Sequence, residues 1–179
     1  MTGIRPPSAM SHARSGRNMC SSMSASVLFI ALAACANDSA EKAAEAYAHS
    51  MAPLLADDDA LARKQIALAE GTTSGQLAAL DVAERYNREL VPEAGALRDR
   101  AKAIEPDAAI PELQAPHALL VQAWSDRAAA YLAILQAYRA DDLAAFDVAA
   151  KKNLDAKATE EQYFDDVEKV LAAHGATLR

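Results

Sequence analysis

Histidine, carboxylate and aromatic side chains are the groups with which this chain could do chemistry. His49, His117 and His174 lie in the body of the sequence, and His12 near its start. Glu45 and His49 are four apart, a spacing that shares one helix face. A di-iron bundle needs Glu-x-x-His on two helices plus further inward acids, and no Glu-x-x-His occurs. Cys-x-x-Cys-His and His-Glu-x-x-His are absent too. The histidines are therefore expected at the surface or at helix ends, and no metal site is expected. Three acid clusters stand out: Asp57-Asp58-Asp59, Asp141-Asp142 and Asp165-Asp166. Calcium loops need acids at alternating positions with a glycine at the bend, and none of the clusters has that form. They read as solvated charge, the first as a helix break and the second as a helix cap. No Gly-x-Ser-x-Gly occurs, and Thr72, Thr73 and Ser74 share a turn signal without a recognisable base. No catalytic set emerges, so neither an enzyme nor a bound cofactor is expected. The remaining constellation is Trp124, Arg127 and Tyr131, with His117 two turns earlier. Arg127 interrupts an otherwise apolar face, so it must snorkel, stack on an aromatic or pair with a buried acid. These four residues are the candidate interhelical ligand site. The plainer reading makes the aromatics the large core residues of an alanine-rich fold.

Cys20 and Cys35 are the two thiols. Cys35 ends an uncharged run that follows Arg14 and Arg17, with an apolar heart from Ala25 to Ala34. A charged n-region, an h-region of this length and small residues at its end form a signal segment. The run is shorter than the ~20 apolar residues that span a bilayer. Its last four residues, Leu32-Ala33-Ala34-Cys35, resemble the lipobox of bacterial lipoproteins. The resemblance implies a diacylglyceryl group on the Cys35 thiol, cleavage between Ala34 and Cys35, and acylation of the new amine. Residues 1–34 are then a signal peptide, 35–39 a lipidated tether and 40–179 one domain. Ala36, rather than Asp, after the cysteine implies the outer membrane if the source has one, on its periplasmic face or at the cell surface. Two other readings fit these residues. Ala31-Leu32-Ala33 and Ala34-Cys35-Ala36 both suit an ordinary export cleavage site, and an uncleaved segment would serve as an anchor. Initiation at Met10 would keep Arg14 and Arg17 and give a presequence of more usual length. With Cys20 removed and Cys35 lipidated, no disulfide is expected, and the core must hold by packing.

Charge narrows the partners. The chain has 18 Lys and Arg against 25 Asp and Glu, and residues 1–34 hold three arginines and no acid, so the remainder carries 15 − 25 = −10 with neutral histidine. Such a domain repels phosphate backbones, and no basic stripe with interleaved aromatics occurs, so nucleic-acid binding is not expected. The expected partners are membrane lipid, through Cys35, and another protein.

The elements that must position these groups are helices. Hydrophobic residues make up 52%, many of them alanine, and aromatics 5%. Alanine is the best helix former but buries little area, so the core must rest on a few large side chains. Apolar residues recur at spacings of three and four in four stretches. The first is expected from Asp38 to Ala69, with Pro53 and the aspartates able to kink or break it. The second runs from Gly75 to Ile104, where Pro92 predicts a kink. Three prolines separate it from the third, Ala115 to Ala140. The fourth runs from Asp141 to Ala173, with Leu143, Phe146, Ala150, Leu154, Phe164, Val167 and Leu171 facing inward and Gly175 at its end. Its middle, Asp155 to Gln162, is nearly all polar and predicts loose packing or a wetter face. Four such helices imply an all-α, antiparallel up-down four-helix bundle. The expected function is a non-catalytic structural or protein-interaction module on a membrane anchor. The alternative is a bundle that binds a small apolar or metal ligand.

Overall fold

The computed structural model describes the backbone from Ser24 to Leu178 and the side chains from Asp38 to Leu178. It is an all-α four-helix bundle. The first arm is helix α1 (Ser24–Thr73). The second arm is α2 (Ala79–Arg85), a π-helical turn (Tyr86–Leu90) and α3 (Val91–Lys102). A 3-10 turn (Pro111–Leu113) leads into the third arm, α4 (Gln114–Ala140), and the fourth arm is α5 (Leu143–Ala173). Among the described residues there is no strand.

Side-chain pairs fix the direction of each arm. Lys64 reaches Glu93 and Asp57 reaches Arg100, so the second arm descends beside α1. His117 bonds to the Ala101 carbonyl, which starts α4 beside the end of α3. Tyr138 packs on Phe146 and Trp124 on Glu160, so α5 descends beside α4. Tyr47 meets His117, and Asp58 meets Arg127, so α1 and α4 run parallel and touch through long side chains.

Apolar spacing explains the core. Ala44, Tyr47, Met51, Leu54, Leu61 and Leu68 bury one stripe of α1. Leu120, Trp124, Tyr131 and Ile134 do the same on α4. The helix passes through Pro53 and Asp57-Asp58-Asp59 unbroken, which corrects the expected break. Proline can be carried inside a helix when its lost hydrogen bond falls on a solvated side, and Pro53 is exposed. At Pro92 the missing N–H removes the usual partner of the Arg88 carbonyl. The chain answers with the π turn immediately before it, where a kink is predicted from sequence. Val82, Tyr86, Leu90, Ala94, Leu97 and Ala101 all stay buried across the irregularity.

The inward face of α5 differs from the expected one. Leu143 is 78% exposed and Leu154 65%, while Ala149, Ala156, Glu160, Tyr163, Val167 and Leu171 are buried. Small side chains decide this. Ala149 and Ala156 lie against α4, itself rich in buried alanine, so the two backbones approach closely and the larger residues turn to the flanks. The polar middle of α5 is likewise not a wetter face, because Ala156 and Glu160 are both core residues.

Helix ends follow local chemistry. The Asp142 side chain accepts from the Ala145 N–H at 2.9 Å and caps α5, as its place in the sequence predicts. α5 ends with Gly175 at φ +73°, where Ala176 N–H returns to the Leu171 carbonyl at 3.0 Å and Gly175 N–H to that of Ala172 at 3.2 Å. That is a Schellman closure, and only glycine adopts the left-handed backbone without steric cost.

Candidate functional site

The polar residues of the interior form two groups along the inner face of α4. In the lower group, His117 is 6% exposed, which corrects its expected place at the surface or at a cap. Its Nε2 lies 3.1 Å from the Ala101 carbonyl, which can only accept. The neutral ring therefore carries its proton on Nε2, and the bare Nδ1 accepts from the Tyr47 hydroxyl at 3.1 Å. The Tyr163 hydroxyl, 3.4 Å away, donates to the Tyr47 oxygen in turn. Burial pushes the His117 pKa down and the Tyr47 phenol up to about 12. Burial also raises the Tyr163 phenol.

In the upper group, Arg127 is ion-paired with Asp58 of α1 and Glu160 of α5, and all three are less than a tenth exposed. Trp124 Nε1 donates to the second oxygen of Glu160 at 2.7 Å. Burial works against the charge of Arg127, but Glu160 and Asp58 outweigh it and raise the guanidinium's pKa. Burial pushes the Asp58 carboxyl up to about 7, with Arg127 pulling it down and Glu160 adding to the rise. Asp58 is thus a core group, which corrects its reading as solvated charge.

Of the four candidate residues, Trp124 and Arg127 converge on one partner, Glu160. Tyr131 lies one turn above, edge-on to Tyr86 with ring centroids 5.7 Å apart. Burial raises its phenol to about 12. His117 belongs to the other group. Asp58 and Glu160 are not among the four candidates, although each falls in register with apolar neighbours: Leu54, Asp58, Leu61 on α1 and Ala156, Glu160, Tyr163 on α5. An acid at a core-facing position opposite an arginine at another is the signal that could have found them.

A groove lies elsewhere, at the end of the bundle where α1 finishes and α5 begins. Its volume is ≈ 480 Å³, within the range of small-molecule sites. Leu68 lines it from α1, Leu143, Phe146 and Leu154 from α5, Tyr86 from the second arm and Tyr138 from α4. No acid, histidine or cysteine lines it. The Thr72 and Thr73 hydroxyls at its edge are engaged by the Leu68 and Ala69 carbonyls.

Among the described residues, no group of three or more His, Cys, Asp or Glu side chains could hold a metal ion. Among the same residues, no helix is long and apolar enough to cross a membrane. The side chains of Leu32 to Cys35, which carry the lipobox resemblance, lie outside the described residues. No protein family, curated protein or solved structure matches the chain.

Proposed function

We propose that this chain is a lipoprotein of the bacterial cell envelope, held on the membrane through Cys35, whose bundle acts by contact with another protein and not by catalysis. The observation that carries the reading is Leu32-Ala33-Ala34-Cys35 at the end of an apolar run behind Arg14 and Arg17. Two structural facts support it. Ala40 is already part of the core, five residues after Cys35, so a lipidated bundle would lie directly against the bilayer. The interior acids are engaged by Arg127 and Trp124, His117 is engaged by Tyr47 and the Ala101 carbonyl, and none of them lines the apolar groove, where a catalyst would need them.

Mass spectrometry of the mature amino-terminal peptide tests the anchor. Acyl mass on a peptide beginning at Cys35 is expected, and an unmodified peptide beginning at Ala34 or Asn37 overturns it. For the contact role, affinity isolation from detergent-solubilised membranes is expected to return the same partner in both directions of capture. Isolation as a lone monomer counts against it.

The groove favours a second reading, a carrier or sensor of a small apolar ligand. Its lining is mostly apolar and aromatic, with the threonine hydroxyls engaged and Gln65 and Asn153 as the remaining amides, so apolar contact is the main source of affinity. Native mass spectrometry of protein made in its own host decides: a bound mass supports the reading and a bare chain sinks it.

A further inference from the structure

Three ionisable side chains meet in the core, and their charges do not cancel. Arg127 contributes one positive charge, and Asp58 and Glu160 contribute two negative charges when both are ionised. The hydrogen-bond geometry shows where the excess lies. Glu160 has both oxygens engaged, one by Arg127 and one by Trp124 Nε1. Asp58 has one oxygen on Arg127, so the two carboxyls are held within the span of one buried guanidinium. Two carboxylates at that range repel unless one proton lies between them. With that proton the cluster is electrically neutral, and without it the core holds an uncompensated charge.

We propose that the bundle holds one proton between Asp58 and Glu160, and that release of this proton loosens α1 and α5 from α4, making the buried cluster a proton-dependent latch. Asp58 belongs to α1, Glu160 to α5 and Arg127 to α4, so three of the four arms meet at one charge-balanced point. The other groups that face it add no positive charge. From α4, the Tyr131 phenol feels the charge of both carboxyls, and on α5 the Tyr163 phenol feels that of Glu160. On the side of α3, Arg100 engages Asp57 at the surface. The rise in the Asp58 pKa agrees with this geometry and sets the sense of the effect. The folded state binds the proton more tightly than the unfolded chain does, so stability is greatest at low pH and is lost as pH rises through the folded pKa. The apolar groove is lined in part by the same two helices, α1 and α5, so the same proton bears on how firmly that groove is held.

The test uses the full chain in detergent. Its thermal midpoint is followed between about pH 5 and about pH 8, and because histidine titrates within that interval, at about 6.5, the wild type is read against Asp58→Asn. The wild type is expected to lose several degrees across this interval. Asp58→Asn, a neutral isostere of the protonated acid, is expected to lack that loss and to keep only the opposite dependence that histidine gives. An Asp58→Asn protein with the wild-type slope overturns the proposal. A titration of the wild-type Asp58 carboxyl carbon by NMR keeps the question decidable if the variant does not fold. A midpoint near neutrality supports the latch, and a midpoint near the ordinary value of about 4 overturns it.

Discussion

Trp124 Nε1 donates to Glu160 Oε1 at 2.7 Å, and this bond leaves the buried glutamate's other oxygen free for Arg127. The tryptophan is therefore part of the polar core as well as the apolar one. Trp124→Phe keeps most of the ring but leaves one carboxylate oxygen buried without a donor. An orphaned acceptor of this kind costs about 1–3 kcal/mol. Urea unfolding followed by circular dichroism is expected to show a loss of that size. A variant as stable as the wild type would mean that Glu160 finds water at that oxygen.

Arg127 should be the most sensitive position in the core. Arg127→Met leaves Asp58 and Glu160 facing each other with no cation, and breaking a buried ion pair in this way costs about 3–5 kcal/mol. Replacing Asp58, Arg127 and Glu160 together with apolar residues of similar volume removes the unpaired charge as well. The triple variant is expected to recover most of the loss or to exceed wild-type stability. Denaturant midpoints of the single and triple variants check the pair of outcomes. A triple variant as weak as Arg127→Met would show that shape, not charge, makes the single change costly.

How much of this was legible from residues alone depends on what each signal measures. The four arms follow from apolar spacing, because a helix buries the same stripe that its sequence repeats. Arg127 stood out for the same reason, as a charge placed in an apolar register. Its partners did not, because Asp58 is flanked by Asp57 and Asp59, and Glu160 lies in a polar stretch with Glu161 beside it. Local composition hid what register would have shown. Leu143 and Leu154 misled in the opposite sense. They carry the stronger hydrophobic signal, but the tight approach of α5 to α4 is made by alanines, whose small area weighs little in any reading of periodicity. The Tyr47–His117 bond joins residues 70 apart, a relation that spacing along one helix cannot reveal.

His117 makes stability depend on pH in the sense opposite to Asp58. Its folded pKa lies below the unfolded value, chiefly through burial, so the unfolded chain binds more protons as the solution is acidified. Stability from this group is complete above the unfolded pKa of about 6.5 and is lost as pH falls below it. The two effects overlap in mildly acidic solution, so His117 is best read in the Asp58→Asn background. There the thermal midpoint is expected to fall between about pH 7 and about pH 5. Adding His117→Gln should flatten that fall, because glutamine can still bond but does not titrate. A slope unchanged by the second substitution assigns the acid sensitivity to other groups.

Asp141 ends α4 in the left-handed region, at φ 51°, with Asp142 N–H returning to the Ala137 carbonyl at 3.0 Å. Gly175 serves the same purpose at the end of α5, so the chain solves one geometric problem with two residue types. A side chain in that region costs roughly 1–2 kcal/mol, although a short polar one such as aspartate is among the better tolerated. The Asp141 side chain is exposed and Asp142 supplies the cap of α5, so the Asp141 carboxylate is part of neither the core nor that cap. Asp141→Gly is therefore expected to stabilise the bundle, by up to about 1 kcal/mol once the greater freedom of glycine in the unfolded chain is counted. Asp141→Val, with a branched side chain at the same backbone angle, should destabilise it. Chemical denaturation of the two variants against the wild type gives the order directly, and a valine variant at least as stable as the glycine one would show that the turn opens without cost.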